Sequence, residues 1–300
     1  MINKKFELTN ETINFFGKKL FRIKSLIDFG GVKIGELGGF VEKEENLDIY
    51  GNAWVFENAC ISGNAKVFGD AQVFGDACIS GNAKVFGNAK VFGDVRVSGD
   101  AQVFENVCIS ENAKVFENAC VSGDVRVSGD AQVYGNAYIS ENACVYGDAQ
   151  VCGNAKVYGN AWVYGDARVS GDAQVYGDAQ VYGNAWVYGD ACVYGYALVF
   201  GDACMYGNAK VCGNACISGD ACVYGDAQVF GNGDYTTIKG FGTEFRTTTF
   251  FRCKDKKIRV VCGCFYGTID QFRKQVKKTR EGKIAKEYLT IADLMEVHFK

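Results

Sequence analysis

The sequence predicts an all-β parallel solenoid with capped ends. Three observations carry the prediction: an unbroken six-residue repeat, 38 glycines at regular spacing, and the complete absence of proline among 300 residues. Average usage would supply roughly fifteen prolines. Proline is excluded where every backbone N–H has a hydrogen-bond partner, as in a continuous sheet.

The repeat runs from Glu45 to Phe230 as 31 hexads without insertion or deletion: ENLDIY, GNAWVF, ENACIS, GNAKVF and onward. The pattern is Gly/Glu, Asn/Asp, a small residue that is nearly always Ala, a variable residue, an aliphatic, then Phe, Tyr, Ser or Cys. The aliphatic is Val or Ile in every hexad except the one holding Met205. In an extended strand the small residue and the aliphatic, two apart, share one face. The variable residue between them, such as Trp54, Lys66, Gln72 or Cys78, points the other way. Gly-Asn and Gly-Asp are turn dipeptides that accept positive φ. Each hexad is therefore one short strand and one corner, stable only when stacked on its neighbours. Serine replaces the aromatic at Ser62, Ser80 and Ser98, each three hexads after the last, which supports three hexads per coil and about ten coils.

The N-[AV]-x-[IV] core of each hexad resembles the hexapeptide-repeat proteins that form left-handed parallel β-helices. The resemblance implies a triangular left-handed coil over 45–230. One departure is that glycine sits two places after the aliphatic, with an aromatic between. Many relatives of this kind are acyltransferases whose histidine acts as general base, and another known activity of the fold is a zinc enzyme with three histidine ligands. This chain has a single histidine, His298, outside the repeat. The expectation is a protein that is not an enzyme and uses no cofactor.

The divisions expected are an N-terminal cap over 1–44, the β-helix over 45–230 and a C-terminal α+β cap over 231–300, because open solenoid ends expose sheet edges. In the first, Lys5–Leu8, Thr12–Phe16 and Leu20–Ile23 read as short strands. In the last, RTTTFFRC and IRVVCGC read as a hairpin around a Lys-Asp-Lys-Lys turn. Two helices follow, the first with a Thr268/Gln271 capping box and the second over about Lys283–His298. Cys253, Cys262, Cys264 and His298 lack zinc spacing, and no metal is expected.

Charge is uneven. Residues 45–230 carry 9 Lys/Arg and 21 Asp/Glu, whereas 231–300 carry 15 and 8. At one corner Asp76, Asp94, Asp130, Asp148, Asp166, Asp202 and Asp220 fill seven of ten levels. Glutamate at a corner is followed by Asn, never Asp, as at Glu57-Asn58, Glu105-Asn106 and Glu141-Asn142. That pattern avoids adjacent like charges. The acidic column is the candidate partner-binding surface, suited to a groove lined by Lys and Arg. The solenoid itself is not expected to bind nucleic acid.

The place after the aliphatic is aromatic in 20 of 31 hexads. The three-hexad spacing predicts ladders such as Phe56–Phe74–Phe92 and Tyr146–Tyr164–Tyr182, which stabilise the wall or cover a dimer interface. Nine cysteines occupy the variable position, and Cys60/Cys78 and Cys204/Cys222 stack within disulfide reach. Without an export signal these thiols are expected reduced and the protein cytoplasmic. No apolar run is long enough to span a membrane. Arg273, Lys274, Lys277, Lys278 and Arg280 form a basic C-terminal patch.

The flanks FRIKSLIDFGGVKIGELGGFVEKEENL and CGCFYGTIDQF resemble the ends of small hexapeptide-repeat proteins encoded in phages and prophages. This resemblance implies a bacterial host and a protein partner, such as a nuclease or ribonucleoprotein of a CRISPR defence system, inhibited by the acidic solenoid. The alternatives are a virion or self-assembling scaffold protein and, third, an acyltransferase homologue.

Overall fold

The computed structural model describes residues 4–300. The chain forms two compact units, the first ending at Gly165 and the second running from Asp166 to Lys300. The boundary falls inside the repeat rather than at its ends. Each unit is a parallel β-solenoid with its own cap.

In both units the hexads give two-residue strands such as Trp54–Val55, Cys60–Ile61 and Lys66–Val67. Strands three hexads apart pair in parallel and in register: Cys60 with Cys78, Lys66 with Lys84, Lys90 with Cys108. Three hexads therefore make one coil. From the GNAWVF hexad onward the small residue and the aliphatic of each hexad are fully buried, as at Ala131 and Val133. Each buried valine contributes roughly 1.5–3 kcal/mol relative to exposure. Met205 fills a valine place without exposure; its unbranched chain adapts to the space left.

The ladder between coils is biased one way. Outside the two-residue strands themselves, the N–H of a residue donates to a carbonyl of the next coil, as Cys60 N to Ala77 O at 2.8 Å and Phe74 N to Val91 O at 2.8 Å. The first coil therefore has unused carbonyls, and the last has unused N–H groups.

The N-terminal cap supplies donors. Strand β1 (Phe6–Phe15) pairs antiparallel with β2 (Lys18–Ser25), and β2 with β3 (Leu37–Val41). The two strands expected over 5–8 and 12–16 are one, interrupted by an irregularity between Leu8 and Thr12. β3 joins the solenoid beside Cys60–Ile61. Its Phe40 amide and that of the following Glu42 donate to the carbonyls of Ala59 and Ile61. The buried Asn46 amide donates to Gly63 O and Ala65 O at 3.1 and 2.8 Å. The Lys5 ammonium donates to Asp48 O, Gly51 O and Ala53 O at 3.3, 3.1 and 2.7 Å.

The cap also alters the first coil. The expected strand of the ENLDIY hexad is absent: after a short 3-10 turn, Glu44–Asn46, Leu47 makes a single parallel bridge to Val67, and Ile49 is exposed. Trp54 and Cys60 occupy outward-facing positions, yet both are buried. Phe6 and Phe29 close edge-on over Trp54 at 6.2 and 5.3 Å, while Leu20 and Phe40 cover Cys60. At the same position Trp162 and Trp186 are exposed.

In the second unit the last coil meets acceptors. Cys216 N donates to Asn232 Oδ1, Cys222 N to Thr249 Oγ1 and Phe230 N to Asp234 Oδ2, at 2.9, 3.1 and 3.0 Å. These groups precede or belong to a four-stranded antiparallel sheet over 235–268, whose middle hairpin pairs Arg252 with Ile258 around residues 253–257. Helices α1 (Ile269–Thr279) and α2 (Gly282–His298) pack on this sheet through Phe250, Val260, Phe272, Val276, Ile291 and Met295. The Thr268/Gln271 capping box is formed in both directions.

Burial pulls the Lys5 ammonium down to about 8 against the opposing pull of Asp48 and Asp70. Replacing Lys5 with Met leaves three carbonyls without their donor, and the expected loss of stability at pH 7.5 is roughly 1–3 kcal/mol by urea denaturation. Because the folded pKa lies below the unfolded value, the folded chain binds fewer protons between them, and stability rises with pH above about 8. Lys5→Met should lack that rise.

Candidate functional site

The corners carry the side chains available for recognition. Glycine opens most corners in the left-handed region, and Glu57, Glu105, Glu111, Glu117 and Glu141 adopt the same conformation with φ of 52° to 65°. At Gly99 an added Cβ would lie 2.7 Å from the Glu117 nitrogen one coil on. Glutamate adds a function of its own: Glu57 and Glu117 accept from the turn amides of Gly75 and Gly135, both at 2.8 Å. That contact to the neighbouring coil was not legible in the hexad pattern.

Next to these turns stand the Asn/Asp columns. Two of the three columns in the first unit are largely self-satisfied. Asn88 donates to Asn106 at 3.0 Å, and Asn106 to Asp124 at 2.7 Å. Asn64 donates to Asn82 at 3.2 Å, and Asn82 to Asp100 at 2.9 Å. An amide placed beside a carboxylate both removes a charge and supplies a donor.

The third column holds the predicted aspartates, and all seven are exposed. In the first unit it contains consecutive carboxylates, Asp76 with Asp94 and Asp130 with Asp148. Asp76 accepts from Asn58 at 3.3 Å. In the second unit Asp202 accepts from Asn184 at 2.9 Å. Asp220 is withdrawn from the candidate surface. It pairs with Lys239 and accepts from Thr247 of the C-terminal sheet, and these bonds hold its carboxyl below the usual range. The column thus ends in an internal ion pair that strand periodicity alone did not show.

Aromatic rings stack on one another inside each unit, but the expected Phe56–Phe74–Phe92 ladder stops at Phe74. Phe56 stacks on Phe74 at 4.4 Å and Tyr146 on Tyr164 at 4.9 Å, both within 7° of parallel. Tyr182 stacks on Phe200 at 4.8 Å, and Phe92 is 40% exposed.

The basic C-terminal patch is smaller than the sequence suggested. Arg273 is surrounded by Asp270, Asp293 and Glu296, at 3.3, 2.7 and 2.7 Å, and is a structural clamp between α1 and α2. Lys274, Lys277, Lys278 and Arg280 remain exposed. Cys253 is buried and Cys264 exposed, and no group of three His, Cys, Asp or Glu able to hold a metal occurs among the described residues. His298 ends α2, far along the chain from the repeat. No helix among the described residues is long and apolar enough to cross a membrane.

A family described as the YdcK beta solenoid repeat matches residues 149–165, 161–177, 173–189 and 179–195. None of the curated proteins matches the chain. Among solved structures, a UDP-N-acetylglucosamine acyltransferase of Francisella novicida is 14% identical over 55% of this chain and 64% of its own, with a TM-score of 0.34. This chain therefore spans less than two thirds of that protein. The Campylobacter jejuni enzyme is 14% identical over 84% and 93%, at 0.34. The Arabidopsis enzyme is 12% identical over 63% and 70%, at 0.32. At such scores nothing about activity follows.

Replacing Asn106 with Asp sets a carboxylate beside Asp124 and next to Glu105. The expected cost at pH 7 is about 1 kcal/mol. Repulsion raises the folded carboxyl pKa, so the cost is full above that raised value and is lost as pH falls through it to the unfolded value of about 4. Chemical denaturation of both proteins at pH 7 and pH 3.5 measures the difference.

The hexad repeat and the in-register three-hexad pairing make this a parallel β-solenoid of hexapeptide repeats, and the family match falls inside that repeat.

Proposed function

We propose that this is a non-catalytic interaction protein whose acidic corner column occupies a basic groove that otherwise holds nucleic acid. The observation that carries the reading is the contrast between columns. Asparagine neutralises and ties the carboxylates of two columns in the first unit. The third leaves Asp94, Asp130 and Asp148 exposed, with no side-chain hydrogen bond to any of them among the described residues. Carboxylates at fixed spacing on a sheet suit Lys and Arg positions that neutralise phosphates, and complementary potential favours rapid, salt-sensitive association.

The partner class is a nucleic-acid-binding protein, with a defence nuclease of the CRISPR type as the specific candidate. The absence of histidine from residues 45–230 removes the general base that an acyl transfer on this surface would use. Binding is tested with the full chain and a purified CRISPR effector ribonucleoprotein by calorimetry at two salt concentrations. Expected are binding that weakens with salt, competition by target DNA, and roughly tenfold weaker binding after Asp94→Asn, Asp130→Asn and Asp148→Asn together. Affinity unchanged by the triple substitution contradicts the acidic-column reading. Polymers in light scattering, without such binding, favour a scaffold instead.

A further inference from the structure

A groove of about 390 Å³ lies in the first unit between the tip of the β1–β2 hairpin and the sheet that follows β3. Phe15, Phe16 and Lys18 overhang it, and Ser80, Cys78 and Arg96 form its floor. Cys60 and Cys78 are in-register partners on adjacent parallel strands, and Arg96 is the partner of Cys78 on the other side. Neighbouring strands lie about 4.8 Å apart, inside the Cα separation that a disulfide spans. Both thiols are free. Cys60 is 5% exposed, whereas Cys78 is open to the groove. Ser62 and Ser80, two residues on from each cysteine, share their face of the sheet.

The two thiols sit in unequal surroundings. Cys60 donates to Asn58 O at 3.2 Å and is covered by Leu20 and Phe40 of the cap. Cys78 faces the groove with Arg96 as its neighbour on the next strand, and an adjacent cation favours a thiolate. Cys78 is thus the thiol that a molecule in the groove meets, and Cys60 is the one placed to resolve it.

The chain contains its own comparator. Cys204 and Cys222 have the same in-register relation on adjacent strands of the second unit. Burial raises both of their thiols, and Asp220 raises Cys222 further. In place of the serines stand Tyr206 and Tyr224, stacked at 4.4 Å.

We propose that Cys60 and Cys78 are a dithiol site, oxidised to a disulfide by small hydroperoxides that enter this groove. The Cys78 thiolate attacks the outer peroxide oxygen, and the O–O bond breaks. The leaving alkoxide takes a proton to give an alcohol, or water from hydrogen peroxide. Cys78 is left as a sulfenic acid. The Cys60 sulfur then attacks the Cys78 sulfur, losing its proton, and hydroxide leaves as water. Two thiols and one hydroperoxide become one disulfide, one alcohol and one water.

The test uses the reduced full-length protein with equimolar hydrogen peroxide at pH 7, followed by thiol alkylation, digestion and mass spectrometry over time. The Cys60–Cys78 linkage is expected first, at least several-fold faster than Cys204–Cys222, since of these four only Cys78 faces a groove with an arginine as its strand neighbour. Arg96→Gln should slow it several-fold. Cys60→Ser should leave a Cys78 sulfenic acid that dimedone captures. Formation of the Cys60–Cys78 linkage no faster than Cys204–Cys222, a rate indifferent to Arg96→Gln, or oxidation confined to exposed Cys264 each overturns the assignment.

Discussion

The structure depends on a hydrogen-bond ladder biased in one direction. Within each unit, N–H groups outside the short strands donate to carbonyls of the coil ahead. That bias leaves unlike backbone groups open on the first and the last coil, and the cap of each unit answers the ones it meets. The first coil needs donors, and Lys5, Asn46 and the amides of Phe40 and Glu42 provide them. The last coil needs acceptors, and Thr249, Asn232 and Asp234 provide them. Unpaired buried backbone groups cost about 1–3 kcal/mol each, so the residues found at each end follow from the polarity of the ladder. Proline has no place in such a ladder, because each coil consumes its N–H groups.

Stacking at a three-hexad period also fixes what the surface can do. Any residue type placed at a corner meets its own kind one coil away unless the sequence alternates. Hydrophobic rings gain from that meeting and form stacks. Carboxylates lose, and the chain separates most of them with asparagine or ties them to a turn amide. Where it does not, at Asp94 and at Asp130 with Asp148, the unrelieved charge is what the proposed partner would relieve. Thiols at the variable position meet in the same way. Their local cations and neighbours then decide whether a pair is inert packing or reactive.

Much of this was legible in the hexads. Strand positions, buried alanines and valines, the three-hexad coil and the Thr268/Gln271 cap all follow from local pattern, because each depends on neighbours at fixed sequence distance. What the pattern did not show depends on contacts between distant, non-repetitive segments. Trp54 and Cys60 obey the outward rule and are buried anyway, because the N-terminal cap folds back over them. Asp220 belongs to its column by spacing, yet it is claimed by Lys239. Arg273 reads as one of five basic residues, but α2 brings two of its three carboxylates from 20 and 23 residues away. Lys5 offers no sequence signal for its role, since its three acceptors are the backbone carbonyls of Asp48, Gly51 and Ala53, in a distant segment of the chain.

The central claim is that end polarity sets where the solenoid opens. Native-state hydrogen exchange, read residue by residue in the wild type and in Lys5→Met, tests it most directly. The account predicts that losing the Lys5 donor speeds exchange at the Ala53, Trp54 and Phe56 amides of the first coil, while amides two or more coils further on, such as Lys90 and Phe92, keep their protection. Equal acceleration throughout the first unit, or none at the first coil, would contradict it.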